Sequence, residues 1–257
     1  MTSSLWRLDS VDTTLLLHAV AESDVPSIVW FGGRLPEGLE AATVASITDL
    51  PLPMAKLDTA VALSLFPQRS TGIDCSPALR GHADGCVFDC CFKRQSVSEQ
   101  NNKLLIELYD QSAQLRIHIH LSLQQASGVL TISTMLTNES NRTYTVDWLA
   151  SATLPLPGHY SECMHLHGRW GLEFQATRHV IDNGPLLLQN HRGRTSHECY
   201  PGVMLGSNGF DESTGDVTAA NIAWSGCHSA LIEKLSDGRL YYQACLLYTS
   251  PSPRDRG

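Results

Sequence analysis

In the stretch QLRIHIHLSL the side chains alternate without interruption: Leu115, Ile117, Ile119 and Leu121 are apolar, while Arg116, His118, His120 and Ser122 are polar. Successive side chains of a β-strand point to opposite faces, so this run fits a sheet with one face buried. A helix would scatter the same apolar residues around its circumference. The neighbouring runs GVLTISTMLTNES, with Gly128 at the turn, and RTYTVDWLASATL extend the pattern, as do TTLLLHAV, SIVWFGG, CVFDCCF and KLLIELYD earlier in the chain. Strands follow one another with Gly, Asn, Ser and Pro between them, and long amphipathic helices are absent from the pattern. The expected fold class is therefore all-β, an antiparallel sandwich. A barrel of eight strand–helix pairs cannot be drawn on this sequence.

The chain has 257 residues, 42% of them hydrophobic and 17% charged, enough for a substantial core. Its formal net charge of −8 argues against nucleic acid or an anionic membrane as partner, since both need a basic footprint. MTSSLWRLDSVDTT lacks a basic segment followed by a long apolar core, and no later run approaches membrane-spanning length, so a cytoplasmic location is expected. Cys86, Cys90 and Cys91 crowd what reads as one strand, and no CxxC pair occurs among the eight cysteines. They are read as reduced and mostly packed as small hydrophobes. Asn138-Glu139-Ser140 and Asn141-Arg142-Thr143 match a glycosylation sequon but read as turn residues.

From Pro36 to Gly85 the periodicity fades into proline and small residues, which marks a long excursion from the sandwich. Such excursions usually carry function or form interfaces. His118/His120 and His165/His167 have the spacing of a strand-borne metal pair, but no third ligand is identifiable, and no metal or cofactor is expected. Ser196 beside His197, with Cys199 nearby, has the residue types of a nucleophile and base. Neighbours on a strand face opposite ways, so nucleophilic catalysis is not expected. FGGRLPEG lacks the Lys-Ser/Thr ending of a phosphate loop. The richest cluster lies in HLHGRWGLEFQATRHVIDNGPLLLQNHRGRTSHECYPG, which gathers Arg169, Trp170, Glu173, Arg178, Arg192, Arg194, Ser196 and His197. Arginine beside tryptophan suits either a sugar contact or a polar domain interface, and the residues alone leave both open.

SIVWFGGRLP, LSLFPQRSTGIDCSPALRGHADG, TNESNRTYTVDWLASATLPLP, HGRWGLEFQ, NHRGRTSHECYPG and AWSGCHSALIEKLSDGR occur in the order and spacing of the N-terminal domain of family 36 glycoside hydrolases, the α-galactosidases. The resemblance covers Leu5 to Ala244, with Gly-x-Trp-x-x-Glu and Arg-Gly-x-x-Ser-His its most specific elements. It implies a β-supersandwich over residues 1–244 and no catalytic residue within the chain. In this family a following (β/α)8 barrel carries the two aspartates of a retaining mechanism that removes terminal α-D-galactose from melibiose- and raffinose-type oligosaccharides. Neither aspartate motif is present here. The resemblance further implies an interface with the missing barrel, assigned to Arg169, Trp170, Glu173, Arg192, Arg194, Ser196 and His197, and a homotetramer of the full-length enzyme. The 36–85 excursion would lend residues to a neighbouring subunit's substrate site, with Asp58 and Arg69 nominated.

One departure is Cys227, where the family's Trp-Ser-Gly is usually followed by Asn. CLLYTSPSPRDRG also departs from the family and resembles the translation of a transposase-type sequencing-library adapter, so residues 245–257 are expected to be non-native and disordered. Two other readings remain: a stand-alone carbohydrate-binding sandwich, and an aldose epimerase, whose fold is similar and which would use His197 or His167 with Glu173 or Glu233 as acid and base.

Overall fold

The computed structural model describes residues 4–40, 43, 61–195 and 197–247. The chain divides into two compact units, residues 1–152 and 153–257. Both are built from antiparallel strands, in agreement with the all-β sandwich class.

In the first unit, β1 (Ser4–Asp9), β2 (Thr13–Ala19) and β3 (Ser27–Gly33) form a sheet with β2 in the middle. β2 is buried on both faces, so Leu15, Leu16 and Leu17 follow one another instead of alternating with polar residues. After β4 (Leu79–Ala83) come β5 (Lys93–Gln100), β6 (Lys103–Asp110), β7 (Leu115–Leu123) and β8 (Leu130–Asn138), a four-stranded meander; β9 (Tyr144–Leu149) then returns to pair with β4. The alternation in β7 sets the register: Ile117 lies opposite Leu108, Ile119 opposite Ile106 and Leu121 opposite Leu104, all six buried. On the outer face Arg116 bridges Glu107 and Glu139 and covers the Tyr109 ring at 4.7 Å.

The second unit is a two-sheet sandwich. Its strands are β10 (Ala152–Leu156), β11 (Glu162–Arg169), β12 (Leu172–Val180), β13 (Gly184–Asn190), β14 (Glu198–Gly206), β15 (Val217–Asn221), β16 (His228–Lys234) and β17 (Leu240–Leu246). One sheet has the order β10-β17-β16-β13 and the other β12-β11-β14-β15. Cys163, Val203 and Leu205 from the second sheet pack in one core with Leu188, Ile232 and Tyr242 from the first. Each core side chain is reached by alternation along its own strand, so the strand ends at the sandwich rim are fixed by the same burial.

Several expectations are corrected. CVFDCCF is not a strand: residues 86–92 are irregular apart from a bridge between Ala83 and Cys86. Asp84, Gly85 and Val87 all take positive φ, which interrupts any ladder. Side chains satisfy the backbone instead. Gln68 accepts from the Phe92 N–H at 2.8 Å and donates to the Phe92 carbonyl at 2.9 Å, and the Asp110 carboxylate accepts from the Cys91 N–H. RTYTVDWLASATL is two strands, β9 and β10, broken at Ala150 and Ser151, which belong to neither. The described end of the Pro36–Gly85 excursion packs closely, with Leu65 and Phe66 buried and the Phe66 ring edge-on to Phe92 at 5.4 Å. At the other end of the chain, β17 runs through Cys245, which lies opposite Ser229, and Leu246, opposite His228; residues 248–257 lie outside the described residues.

If alternation selects the buried face, Ile119→Ala should destabilise the chain by about 2–5 kcal/mol. His120→Ala, one residue away on the exposed face, should stay within about 0.5 kcal/mol. Urea unfolding reads both, and equal costs would contradict the account.

Candidate functional site

Two loops of the second unit build a cleft of about 670 Å³ lined by Gly168, Arg169, Trp170, Arg192, Arg194, His197 and Glu198. The first is the β11–β12 hairpin. Arg169 pairs with Leu172, leaving Trp170 and Gly171 as the turn, and Gly171 supplies the positive φ of +76°. Gly168 is needed for close approach: a Cβ there would strike the Leu172 carbonyl oxygen and lie 2.7 Å from the Glu173 Cα. The Glu173 carboxylate accepts from the Gly171 N–H at 3.0 Å. Gly-x-Trp-x-x-Glu is thus a turn device, and what it displays is Trp170, 80% exposed.

The second loop joins β13 to β14 and is organised by Asn190, which is fully buried. Its amide nitrogen lies 2.8 Å from the carbonyl oxygens of Arg194, His197 and Cys199, and its amide oxygen accepts from the Arg192 N–H at 2.9 Å. Gly193 turns the chain at φ +64°, with its Cβ position 3.9 Å from the Cys227 sulfur. These constraints bring the His197 ring nearly parallel to Trp170, 14° between planes and 6.4 Å between centroids.

Charge in the cleft is unequally satisfied. Glu198 takes the His191 N–H at 2.8 Å and Arg192 Nε at 2.9 Å, and these bonds hold its carboxyl below the ordinary range. Glu198 also sits at φ +58°, an unusual conformation held by the same contacts. The side chains of Arg169 and Arg194 are exposed and form no ion pair among the described residues. The cleft is therefore cationic, with an aromatic wall.

Five of the seven residues expected at a domain interface are thus brought together. Glu173 stands beside them as part of the hairpin turn, and Ser196 lies outside the described residues. Asp58 likewise lies outside them. Arg69 opens a single 3-10 turn, Arg69–Thr71, with its side chain exposed and 4.0 Å from Asp89. Sequence reasoning missed Asn190 and Glu198; the signal for Asn190 was a polar residue that follows the run PLLL by two positions and precedes the Arg-Gly pair by two.

The histidine pairs are placed elsewhere. His118 and His120 stand on the outer face of β7. His165 is buried, stacked on His179 with Nε2 atoms 3.0 Å apart and with Nδ1 3.7 Å from the Cys199 sulfur. Among the described residues no group of three or more His, Cys, Asp or Glu is arranged to hold a metal. Burial pushes the Cys199 thiol up to about 11 and Cys163 to about 12, so neither is a reactive thiolate at neutral pH. Glu233, named above as an epimerase acid or base, accepts from the Tyr241 hydroxyl on the neighbouring strand.

The comparisons with known proteins agree with the fold. The family model "Glycosyl hydrolase family 36 N-terminal domain" matches residues 24–247. The chain is 33% identical to an α-galactosidase of Escherichia coli over 248 residues, 96% of this chain but 34% of that protein. It is 26% identical over 131 residues to the bifunctional α-galactosidase/sucrose kinase AgaSK of Mediterraneibacter gnavus, covering 14% of that protein. The GH36 α-galactosidase AgaA of Geobacillus stearothermophilus, solved in complex with raffinose, superposes with a TM-score of 0.81 at 17% identity, over 95% of this chain and 37% of that one. The chain thus spans about a third of the length of the Escherichia coli and Geobacillus stearothermophilus proteins.

Two outcomes follow from the site geometry. Asn190→Ala removes the amide's contacts with three carbonyls and with the Arg192 N–H and should destabilise the second unit by about 1–3 kcal/mol. Hydrogen exchange in residues 191–199 should rise with it, and unchanged protection there would count against Asn190 as the organiser. The second outcome concerns pH. Burial lowers the His165 imidazole from its ordinary value of 6.5, with His179 and His167 pressing it the same way; burial also lowers His228. The unfolded chain therefore binds more protons below about pH 6.5, so stability falls as pH drops through that value. Melting temperature should decline between about pH 7.5 and 5.5, and His165→Gln should flatten the slope.

Proposed function

Because the chain belongs to the glycosyl hydrolase family 36 N-terminal domain family, we propose that it is the non-catalytic leading domain of an α-galactosidase. The whole enzyme removes terminal α-D-galactose from melibiose- and raffinose-type oligosaccharides by a retaining mechanism. The carrying observation is the match over 96% of this chain to only 34% of an α-galactosidase. The cleft itself speaks against local catalysis. Retaining hydrolysis uses two carboxyl groups about 5 Å apart. Among the described residues Glu198 is the one carboxylate lining the cleft, and it is already occupied by Arg192 and the His191 N–H.

In this reading Arg169, Trp170, Arg192, Arg194 and His197, with Glu173 and Ser196, form the interface with the barrel that follows. Asp58 and Arg69 belong to a segment that reaches a neighbouring subunit's substrate site in a homotetramer. The exposed position of Arg69 fits this role. The net charge of −8 favours neither nucleic acid nor an anionic membrane surface as partner. Among the described residues no helix is long and apolar enough to cross a membrane. The buried thiols suit a reducing compartment, and we place the protein in the cytoplasm. A second reading, carbohydrate binding without hydrolysis, is favoured by exposed Trp170 at the mouth of a polar cleft.

The purified 257-residue chain should show no turnover of p-nitrophenyl α-galactoside. Measurable hydrolysis that survives repurification would contradict the non-catalytic role. Saturable raffinose binding by calorimetry, without hydrolysis, would put the second reading first.

A further inference from the structure

We propose that the cleft between Arg169 and Arg194 receives a carboxylate side chain from the domain that follows in the full-length enzyme, with Trp170 as the apolar anchor of that contact. The inference rests on the reading that such a domain follows.

The charge arrangement points to an anion. The chain has 26 acidic and 18 basic residues, so carboxylates are abundant. Even so, two exposed guanidinium groups stand at one cleft without an ion pair among the described residues. The third, Arg192, is spent on Glu198. A planar guanidinium fork matches a carboxylate bidentately, and arginine is the cation most suited to an ion pair that becomes partly buried.

The surroundings point to a protein rather than a neutral sugar. A galactoside brings no charge to set against two cations, and the carboxylate that would bind its hydroxyls is already engaged. Trp170, Leu172 and Phe174, exposed by 80%, 48% and 52%, lie within five residues along the hairpin, and Phe174 meets Tyr200 edge-on at 5.8 Å. Tryptophan, tyrosine and arginine grouped beside an apolar strip have the composition of an interface hot spot. The relatives supply the partner's origin: about two-thirds of their length lies outside the part this chain matches.

The test uses the full-length enzyme with the photo-crosslinking residue p-benzoylphenylalanine in place of Trp170, and mass spectrometry to locate the products. The expected product joins position 170 to a segment of the same chain's following domain, beside an Asp or Glu. In an Arg169→Glu/Arg194→Glu background its yield should fall at least tenfold, while Arg169→Lys/Arg194→Lys retains part of it. Both arginines are exposed and without an ion pair among the described residues, so these variants should fold, and an unchanged melting curve of the 257-residue chain carrying them checks this. Products confined to the second unit, or formed only between chains, would overturn the inference while the enzyme's turnover of raffinose upholds the proposed function. Saturable raffinose binding by the 257-residue chain that Arg169→Glu/Arg194→Glu abolishes would also overturn it, by making the cleft a sugar site. A full-length protein inactive on α-galactosides and without a following domain would remove both.

Discussion

The second unit depends on one constraint: every other side chain of two facing sheets must be buried in a common core. Cys163, Val203 and Leu205 from one sheet and Leu188, Ile232 and Tyr242 from the other satisfy it together. A slip of one residue in any of these strands would carry its apolar set to solvent, so the registers are fixed. The positions where strands leave the sandwich are then fixed as well. The cleft is made from two such exits, the hairpin after Arg169 and the loop after Asn190.

Neither loop is shaped by apolar burial. Gly168 permits two backbone segments to approach more closely than any side chain would allow, and Gly171 turns the chain. Asn190 replaces missing ladder bonds with a buried amide serving four backbone groups. Trp170 can then remain largely exposed yet fixed, because its hairpin and its stacking partner His197 are each held by hydrogen bonds behind them. Such a surface is organised before any partner arrives, which reduces the ordering cost of binding.

The parts of the fold legible in the sequence were those governed by alternation. Leu115 to Leu121 gave the strand and its buried face correctly, and the structure adds the register. The polar strand β5, KRQSVSEQ, was not legible, because as an edge strand of the meander it buries little. CVFDCCF misled because its composition favours a strand while its backbone bonds go to Gln68 and Asp110 side chains, distant in sequence. The same limit applies at the cleft. The density of arginine and tryptophan marked the region, and the glycine motifs identified the family. That Glu198 would engage Arg192 while Arg169 and Arg194 form no ion pair among the described residues depends on the path of a loop, which residue spacing does not encode.

The central claim is that this domain precedes a catalytic one. The most direct measurement is to sequence the source gene across the codon for Ala244 by a method that adds no transposase adapter. The account predicts a reading frame that continues into a (β/α)8 domain with two catalytic aspartates. A frame that closes with no such domain would contradict it.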